Sequence, residues 1–514
     1  MRPAVFRKVL IANRGEIAIR VARTCHALGI LAIGVYSAAD RDALHRRRMD
    51  ESVGIGPAPA LESYLNAERI LAAAQQTGAE AIHPGYGFLA ENAEFVRRCE
   101  EAGLVFVGPG SEAMAASGDK IGARKAMAAA GLRITPGSEA IRSEDEALAV
   151  ARDLRFPVIL KATGGGGGIG MQVVRRGAEM ARAFRLAQSA AIASFGNPEL
   201  FVERFHRRPR HIEVQVLLDR HGNAVHLGER ECSIQRRHQK LVEESPSPVV
   251  GPKVRETIGE LAVHGLRAIG YTNAGTVEFL HTGGTFYFNE VNARLQVEHT
   301  VTEAVTGLDL VREQLRIAAG EPLGVTQEGV RRDGWAIECR INAEDPTANF
   351  APSPGTIMRY VEPVGAGIRV DSGIAEGSTV QAFYDPLVAK VVAHGRTREE
   401  ALTRMRDALR AYVIEGIATV LPLHRRILDD EVFRAGHLST AFLDDRGLLR
   451  ALAADREAEV AAIAAALAAR PWWAAHLRAP VSLHRPPVSR WAASGRPLPG
   501  GEHAAAHRPR WKRV

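Results

Sequence analysis

The sequence predicts a multidomain protein of mixed α/β and α+β architecture, on three observations. Residues 8–36 read strand, helix, strand. Lys8-Val9-Leu10-Ile11-Ala12 is an apolar run, Ile17, Val21 and Leu28 recur at helical spacing before a Gly29 stop, and Ile30–Tyr36 is apolar again. Such a unit argues for a parallel sheet. Further on, Thr276–Leu280 and Thr285–Asn289 are β-rich runs separated by His281-Thr282-Gly283-Gly284, a hairpin signal. Beyond Val325 a second β-rich region includes Tyr384-Asp385-Pro386-Leu387-Val388-Ala389-Lys390 and ends in a helix around Glu399–Tyr412.

Composition bounds what these pieces can be. The 514 residues leave room for several domains, and 46% hydrophobic with 24% charged residues is ordinary globular usage. No run approaches the roughly 20 apolar residues of a membrane span. A strand-like run within the first ten residues leaves no place for a signal peptide. Cys25, Cys99, Cys232 and Cys339 lie far apart without CxxC spacing, which suggests neither a disulfide frame nor a zinc site. A cytoplasmic location is expected. Of the formal charge of +7, Ala479–Val514 carries +6 from seven basic residues and Glu502. The basicity belongs to the tail, which lacks the regular basic face of a nucleic-acid reader.

In order along the chain, the turn Asn13-Arg14-Gly15-Glu16 lacks GxGxxG, so it gives little support to a dinucleotide site. His83-Pro84-Gly85-Tyr86-Gly87-Phe88 is a tight loop, and Gly118-Asp119-Lys120 opens a helical segment followed by a strand-like run near Arg133–Ile134. Phe156–Leu160 is an apolar strand delivering Lys161, and five consecutive glycines follow at 164–168. Ordering five glycines is costly, and a backbone without Cβ atoms can wrap phosphate oxygens; a phosphate lid fits better than a linker. Phe201–His206 and the alternating His211–Val216 read as strands. Glu231–Lys240 is dense in donors, where a solvated charged loop competes with a ligand-binding one. After about residue 446 an Ala-rich helix stops at Arg470-Pro471, and a Pro/Arg-rich tail follows.

The chemistry is concentrated at Phe288–His299. Read as a continuous strand, its even positions are Glu290, Asn292, Arg294, Gln296 and Glu298, and its odd ones Val291, Ala293, Leu295 and Val297. A hairpin turning at residue 284 sets Glu278 opposite Glu290. Facing carboxylates repel unless a cation or proton lies between them, and magnesium is held by one or two carboxylates plus substrate phosphates. The hairpin therefore predicts a Mg-nucleotide floor with Asn292 as a further oxygen ligand. Arg294 then offers an anion site and Glu298 a base.

These motifs resemble the biotin carboxylase family. The match is carried by IANRGEIA at 11–18, HPGYGFL at 83–89, GDK at 118–120, KATGGGGGIGM at 161–171, CSIQRRHQK at 232–240, AGTVEF at 274–279, EVNARLQVEH at 290–299 and RINAEDP at 340–346. The resemblance spans about residues 5–445. It implies an N-terminal parallel α/β domain (1–118), a central ATP-grasp domain (119–325) with a glycine-rich lid at about 136–206, and a C-terminal β-rich α+β domain (326–446). The Ala-rich helix and basic tail occupy 447–514. It also implies a homodimer.

The implied activity is ATP-dependent conversion of bicarbonate to carboxyphosphate and transfer of the carboxyl to biotin. By resemblance, Lys120 and Lys161 hold ATP phosphates and Gly167 and Gly168 close over them. Glu203, Arg204, Phe205 and His206 border the adenine, and His211, Gln235, His238 and Leu280 line the nucleotide site. Glu278, Glu290 and Asn292 hold two magnesium or manganese ions. Lys240, Arg294, Gln296 and the Val297 backbone position bicarbonate, Glu298 is the general base, and Arg340 stabilises charge on the biotin ureido group. No A-M-K-M biotinylation motif occurs, so a separate carboxyl carrier protein and a separate carboxyltransferase are expected. The expected role is the biotin carboxylase subunit of an acyl-CoA carboxylase. A pyruvate or urea carboxylase system, or another ATP-grasp ligase, is the alternative. Three positions depart from the family pattern: Ile169 replaces a basic lid residue, His206 an aliphatic one, and Thr300 the proline usual in acetyl-CoA carboxylase components. Pyruvate carboxylases are similar at that last position, and urea carboxylases have a similar G-I-G-M lid.

Overall fold

The computed structural model describes residues 5–164 and 170–468. Gly167 and Gly168 of the expected lid, and the tail from residue 469, lie outside the described residues. The chain divides into two units, Met1–Ala454 and Asp455–Val514. What is described of the second is a helical stretch, the end of the Ala-rich helix Leu448–Ala468. Among the described residues no helix is long and apolar enough to cross a membrane.

The first sheet is built from β1 (Lys8–Ile11), β2 (Leu31–Tyr36), β3 (Glu51–Gly54), β4 (Ala81–His83) and β5 (Val105–Phe106), in the order β3-β2-β1-β4-β5, all parallel. Its central strands β1 and β2 are near-continuous apolar runs because helices cover both faces, while the edge strand β3 reads Glu-Ser-Val-Gly. The helix Gly15–Ala27 buries Ile17, Val21 and Cys25 against the sheet, as its 3.6-residue spacing requires. A smaller antiparallel sheet follows, β7-β6-β8, from β6 (Val158–Ala162), β7 (Gln172–Val174) and β8 (Leu200–Arg204). Its own core of Val158, Leu160, Val202, Phe184 and Ala187 seats the helix Met180–Phe195 on one face.

The third sheet positions the site. It joins β9 (Arg210–Leu218), β10 (Ala224–Arg236), β11 (Gln239–Ser245), β12 (Asn273–Thr282), β13 (Thr285–Asn292) and β14 (Trp335–Asn342) with the strands Leu387–Gly395 and Ile368–Ser372. The order is β13-β12-β9-β10-β11-β14, then Leu387–Gly395 and Ile368–Ser372 at the far edge. One sheet thus runs through the central and the C-terminal regions, joined where Val242 pairs with Cys339 and Glu243 with Glu338. The hairpin forms as expected, with Glu278 directly paired to Glu290.

Two local expectations are corrected, and one left open is decided. The strand at 288–299 stops at Asn292, and Glu298 instead sits in a turn (φ −82, ψ 12) that starts the helix His299–Thr306. Six more extended residues would carry Glu298 about 20 Å beyond Asn292; the turn folds it back instead, and its polar side chains are buried, with Gln296 3% and Glu298 0% exposed. The run near Arg133–Ile134 makes one bridge, Ile134 to Phe288, before Pro136-Gly137 ends it. Glu231–Lys240, left open between a solvated and a ligand-binding loop, forms the ends of β10 and β11, closed by Arg237 and His238 at positive φ.

Candidate active site

At the centre lies Glu298, fully buried. Its Oε1 accepts from Lys240 Nζ at 2.7 Å and its Oε2 from Arg340 Nη2 at 2.9 Å. Burial alone would raise its pKa, but Lys240, Arg340 and Arg230 outweigh it and hold the carboxyl well below the usual carboxylate range. Lys240 also donates to Glu278 Oε1 at 2.9 Å and contacts Glu213. Three carboxylates around one ammonium overcome its desolvation and hold it charged. Arg340 is fixed from the other side by Glu243 Oε1 at 2.6 Å. Gln296, from the turn before Glu298, donates to Glu278 Oε1 at 3.1 Å. The Val297 carbonyl accepts from Lys390 Nζ at 2.7 Å.

Beyond this cluster lies the hairpin floor. Burial works to raise Glu278, but Lys240 and His211, whose Nε2 is 3.0 Å from its Oε2, keep it charged. Burial and the facing Glu278 raise Glu290, whose charge is therefore disfavoured as the site stands. Lys120, at the start of the helix Lys120–Ala129 capped by Asp119, approaches Glu290 to only 4.0 Å. A divalent cation fits here: two carboxylates and the Asn292 amide oxygen are hard ligands, and the pair lacks a full compensating charge. Asn292 Oδ1 now accepts from Arg294 Nη2 at 3.1 Å, and its Nδ2 is buried without a partner. In a second group of close ligand atoms, His211, Glu213 and Glu278, the two carboxylates already hold the Lys240 ammonium.

Lys161 reaches the floor from β6, 2.7 Å from Glu203 Oε2 and 3.3 Å from Asn289 Oδ1. Burial and the neighbouring Lys120 push it down to about 7, against the pull of Glu290 and Glu278. An anionic phosphate would restore its charge. Glu203 is further clamped by Arg124. His206 stacks on Tyr287, with ring centroids 5.0 Å apart. Arg204 is exposed, Phe205 half-buried, and Leu280 pairs with both His211 and Tyr287. His238, at the hairpin tip, is lowered by burial and by the nearby Lys161. Gln235 spends its amide on the Cys232 carbonyl at 3.3 Å.

The described residues thus gather Lys240, Arg340, Gln296, Glu298 and Glu278 directly, with Glu290, Asn292 and Arg294 adjoining. Sequence reasoning passed over several partners. Glu213 faces Glu278 across β9 and β12, and Arg230, fully buried, donates to it at 2.5 Å. The signal was present: His211, Glu213 and Gln215 share one strand face, and that face is buried rather than wet. Glu91, 3.2 Å from Arg294, and Lys390 come from distant segments and left no local signal.

The chain matches the family descriptions "Biotin carboxylase, N-terminal domain" over residues 5–114, "Carbamoyl-phosphate synthase L chain, ATP binding domain" over 119–326 and "Biotin carboxylase C-terminal domain" over 338–445. It is 50% identical to Biotin carboxylase 1 of Bacillus subtilis, covering 86% of this chain and 98% of the relative. It is 51% identical to a pyruvate carboxylase subunit of Methanothermobacter thermautotrophicus, covering 86% and 90%. Among solved structures, the biotin carboxylase domain dimer of the Hydrogenobacter thermophilus 2-oxoglutarate carboxylase, in complex with MgADP, ADP and bicarbonate, superposes with a TM-score of 0.84 at 47% identity, covering 86% and 98%. The three-domain organisation of the fold, the ATP-grasp centre and these relatives agree: the chain belongs to the biotin carboxylase family, the ATP-dependent carboxylating ligases that serve as biotin carboxylase subunits of biotin-dependent carboxylases.

Proposed function

We propose that this chain carboxylates biotin on a separate carrier protein, using ATP and bicarbonate, with Glu298 as the general base. The observation that carries the reading is a fully buried carboxylate held between an ammonium and a guanidinium. Held that low, Glu298 is a weak base. Bicarbonate entering among Lys240, Arg294 and Arg340 draws those cations away, and burial then strengthens the carboxylate as a proton acceptor. The deprotonated oxygen attacks the γ-phosphorus of ATP, ADP leaves, and carboxyphosphate forms. Transfer of its carboxyl to the biotin N1 breaks the C–O bond to phosphate, and the departing phosphate takes the N1 proton, with Arg340 facing the negative ureido oxygen. Lys120 and Lys161 bind and orient the phosphates, and Lys390 fixes the Val297 carbonyl so that the Gln296–Glu298 turn holds its shape. Glu278, Glu290 and Asn292 would hold magnesium or manganese, which supplies charge neutralisation on the phosphates.

ATP hydrolysis measured with and without bicarbonate and free biotin tests this. Hydrolysis that needs bicarbonate and rises with biotin supports it; hydrolysis indifferent to both points to another ATP-grasp ligase. The final acceptor is proposed to be an acyl-CoA, reached through a separate carboxyltransferase. Thr300, and relatives that carry pyruvate and 2-oxoglutarate in their names, favour a 2-oxoacid as the second reading. Reconstitution with candidate carboxyltransferases separates the two by whether label enters an acyl-CoA or a 2-oxoacid. A homodimer is proposed as the working form, which light scattering of the eluted protein checks.

A further inference from the structure

Behind Arg340, on the side away from Glu298, two buried acidic residues face each other. Glu243 on β11 and Glu338 on β14 are directly paired in the antiparallel register, and both are 0% exposed. Opposed side chains on such a pair have Cβ atoms about 5 Å apart. Each carboxyl commits one oxygen: Glu243 Oε1 accepts from Arg340 Nε at 2.6 Å, and Glu338 Oε2 accepts from the Thr300 hydroxyl. Each keeps one buried oxygen, Glu243 Oε2 and Glu338 Oε1, with no hydrogen-bond partner among the described residues. Two acceptors cannot satisfy each other, and two buried negative charges at this spacing repel strongly. A single proton removes both costs.

We propose that Glu243 and Glu338 share one proton, and that the resulting acid–carboxylate pair positions Arg340 against Glu298. The pair then carries one negative charge, placed on Glu243 where Arg340 needs it, and Glu338 donates through its proton to Glu243 Oε2. The groups facing the pair agree with this charge state. Lys240 comes from β11, Arg340 from β14, Glu298 from the turn before residue 299, and Lys390 from the strand Leu387–Gly395; the helix His299–Thr306 offers the neutral Thr300 hydroxyl. Lys390 is already engaged with the Val297 carbonyl and, at 3.4 Å, with Glu16. Burial pushes Glu243 up to about 7 and Glu338 well above the usual carboxylate range. Because the protonated state is the stable one, the arrangement is intact at neutral pH and is lost as pH rises. A second charge beside Glu243 would then pull Arg340 away from Glu298.

The positioning role rests on the reading of Arg340 as the biotin-facing group; the shared proton does not. The test therefore has two readouts on the full chain. The first is the infrared carbonyl band of a neutral, deuterium-sensitive carboxylic acid at neutral pH, taken as wild type minus Glu338→Gln and wild type minus Glu243→Gln. The proposal expects that band in wild type minus Glu338→Gln, which removes the carboxyl that carries the proton, and a shifted band in wild type minus Glu243→Gln, which changes its acceptor; absence of the band from the first difference overturns the proposal. The second is the pH profile of biotin-stimulated ATP hydrolysis. In Glu338→Gln the amide donates to Glu243 and accepts from Thr300 with no proton to lose, so the alkaline limb should move up by about one pH unit or more. A band that is present with an unmoved limb overturns the positioning role. Absence of any biotin stimulation in the wild type would count against the proposed function, and the infrared result would still decide the proton.

Discussion

The two halves of the site are built on opposite electrostatic plans. Both oxygens of Glu298 are taken by cations of the chain itself, Lys240 and Arg340, with Arg230 one layer out on Glu213. On the hairpin floor Glu290 meets one ammonium at 4.0 Å and a facing carboxylate, and its charge is disfavoured. A saturated cluster must exchange partners with an incoming anion before it can do chemistry. An undercompensated one is completed by an incoming cation. The first half therefore suits bicarbonate and the second a metal–nucleotide.

Substitutions break this contrast in order of expected size. Glu298→Ala should lower bicarbonate-dependent ATP hydrolysis by about 100- to 10,000-fold, while leaving nucleotide binding by calorimetry largely in place, because the saturated side does not hold the phosphates. Glu290→Gln should weaken manganese binding, read by electron paramagnetic resonance, by about tenfold or more. It should also raise the melting temperature of the metal-free protein, since it removes a like-charge pair. The same substitution at Glu278 should instead lower that melting temperature, because it strips Lys240 and His211 of a partner.

Acid sharpens the contrast differently. Glu298 lies far below the usual carboxylate range and keeps its charge as pH falls, but the frame around it does not tolerate acid. Burial holds His45 and His424 down to about 4 and His83 to about 3, whereas the unfolded chain titrates near 6.5. The unfolded state therefore binds more protons between these values, and stability should fall as pH drops from about 6.5 towards 4, by up to roughly 3 kcal/mol per histidine. Thermal melts across that range check this. His424 Nε2–H donates to the Arg340 carbonyl, 2.6 Å away, so bicarbonate-dependent activity should fail together with the frame. His206→Leu should have the smallest effect, changing ADP affinity by about threefold or less, because its ring stacks on Tyr287 at the border of the site.

The sequence made the floor legible because a hairpin is local. Gly283-Gly284 fixes the turn, the turn fixes the register, and the register sets Glu278 against Glu290. The parallel sheet was legible for the same reason, from strand–helix–strand runs within 36 residues. The saturated side was only partly so. Alternation placed Glu298 on the polar face of an extended strand, whereas the chain turns after Asn292 and buries it. Its partners come from β11, β14 and β10, and strand pairing between segments about a hundred residues apart leaves no periodic trace in either. Glu213 and Arg230 were hidden by the habit of reading alternating polar residues as solvent-facing; here the polar face is an interior one.

Carboxyl transfer itself is the most direct measurement. Purified wild type and Glu298→Ala would be given labelled bicarbonate, ATP, magnesium and free biotin, and acid-labile label on biotin measured. Label that depends on ATP in the wild type and is absent in Glu298→Ala is the predicted result. ATP consumed without label reaching biotin, or label undiminished in Glu298→Ala, would contradict it.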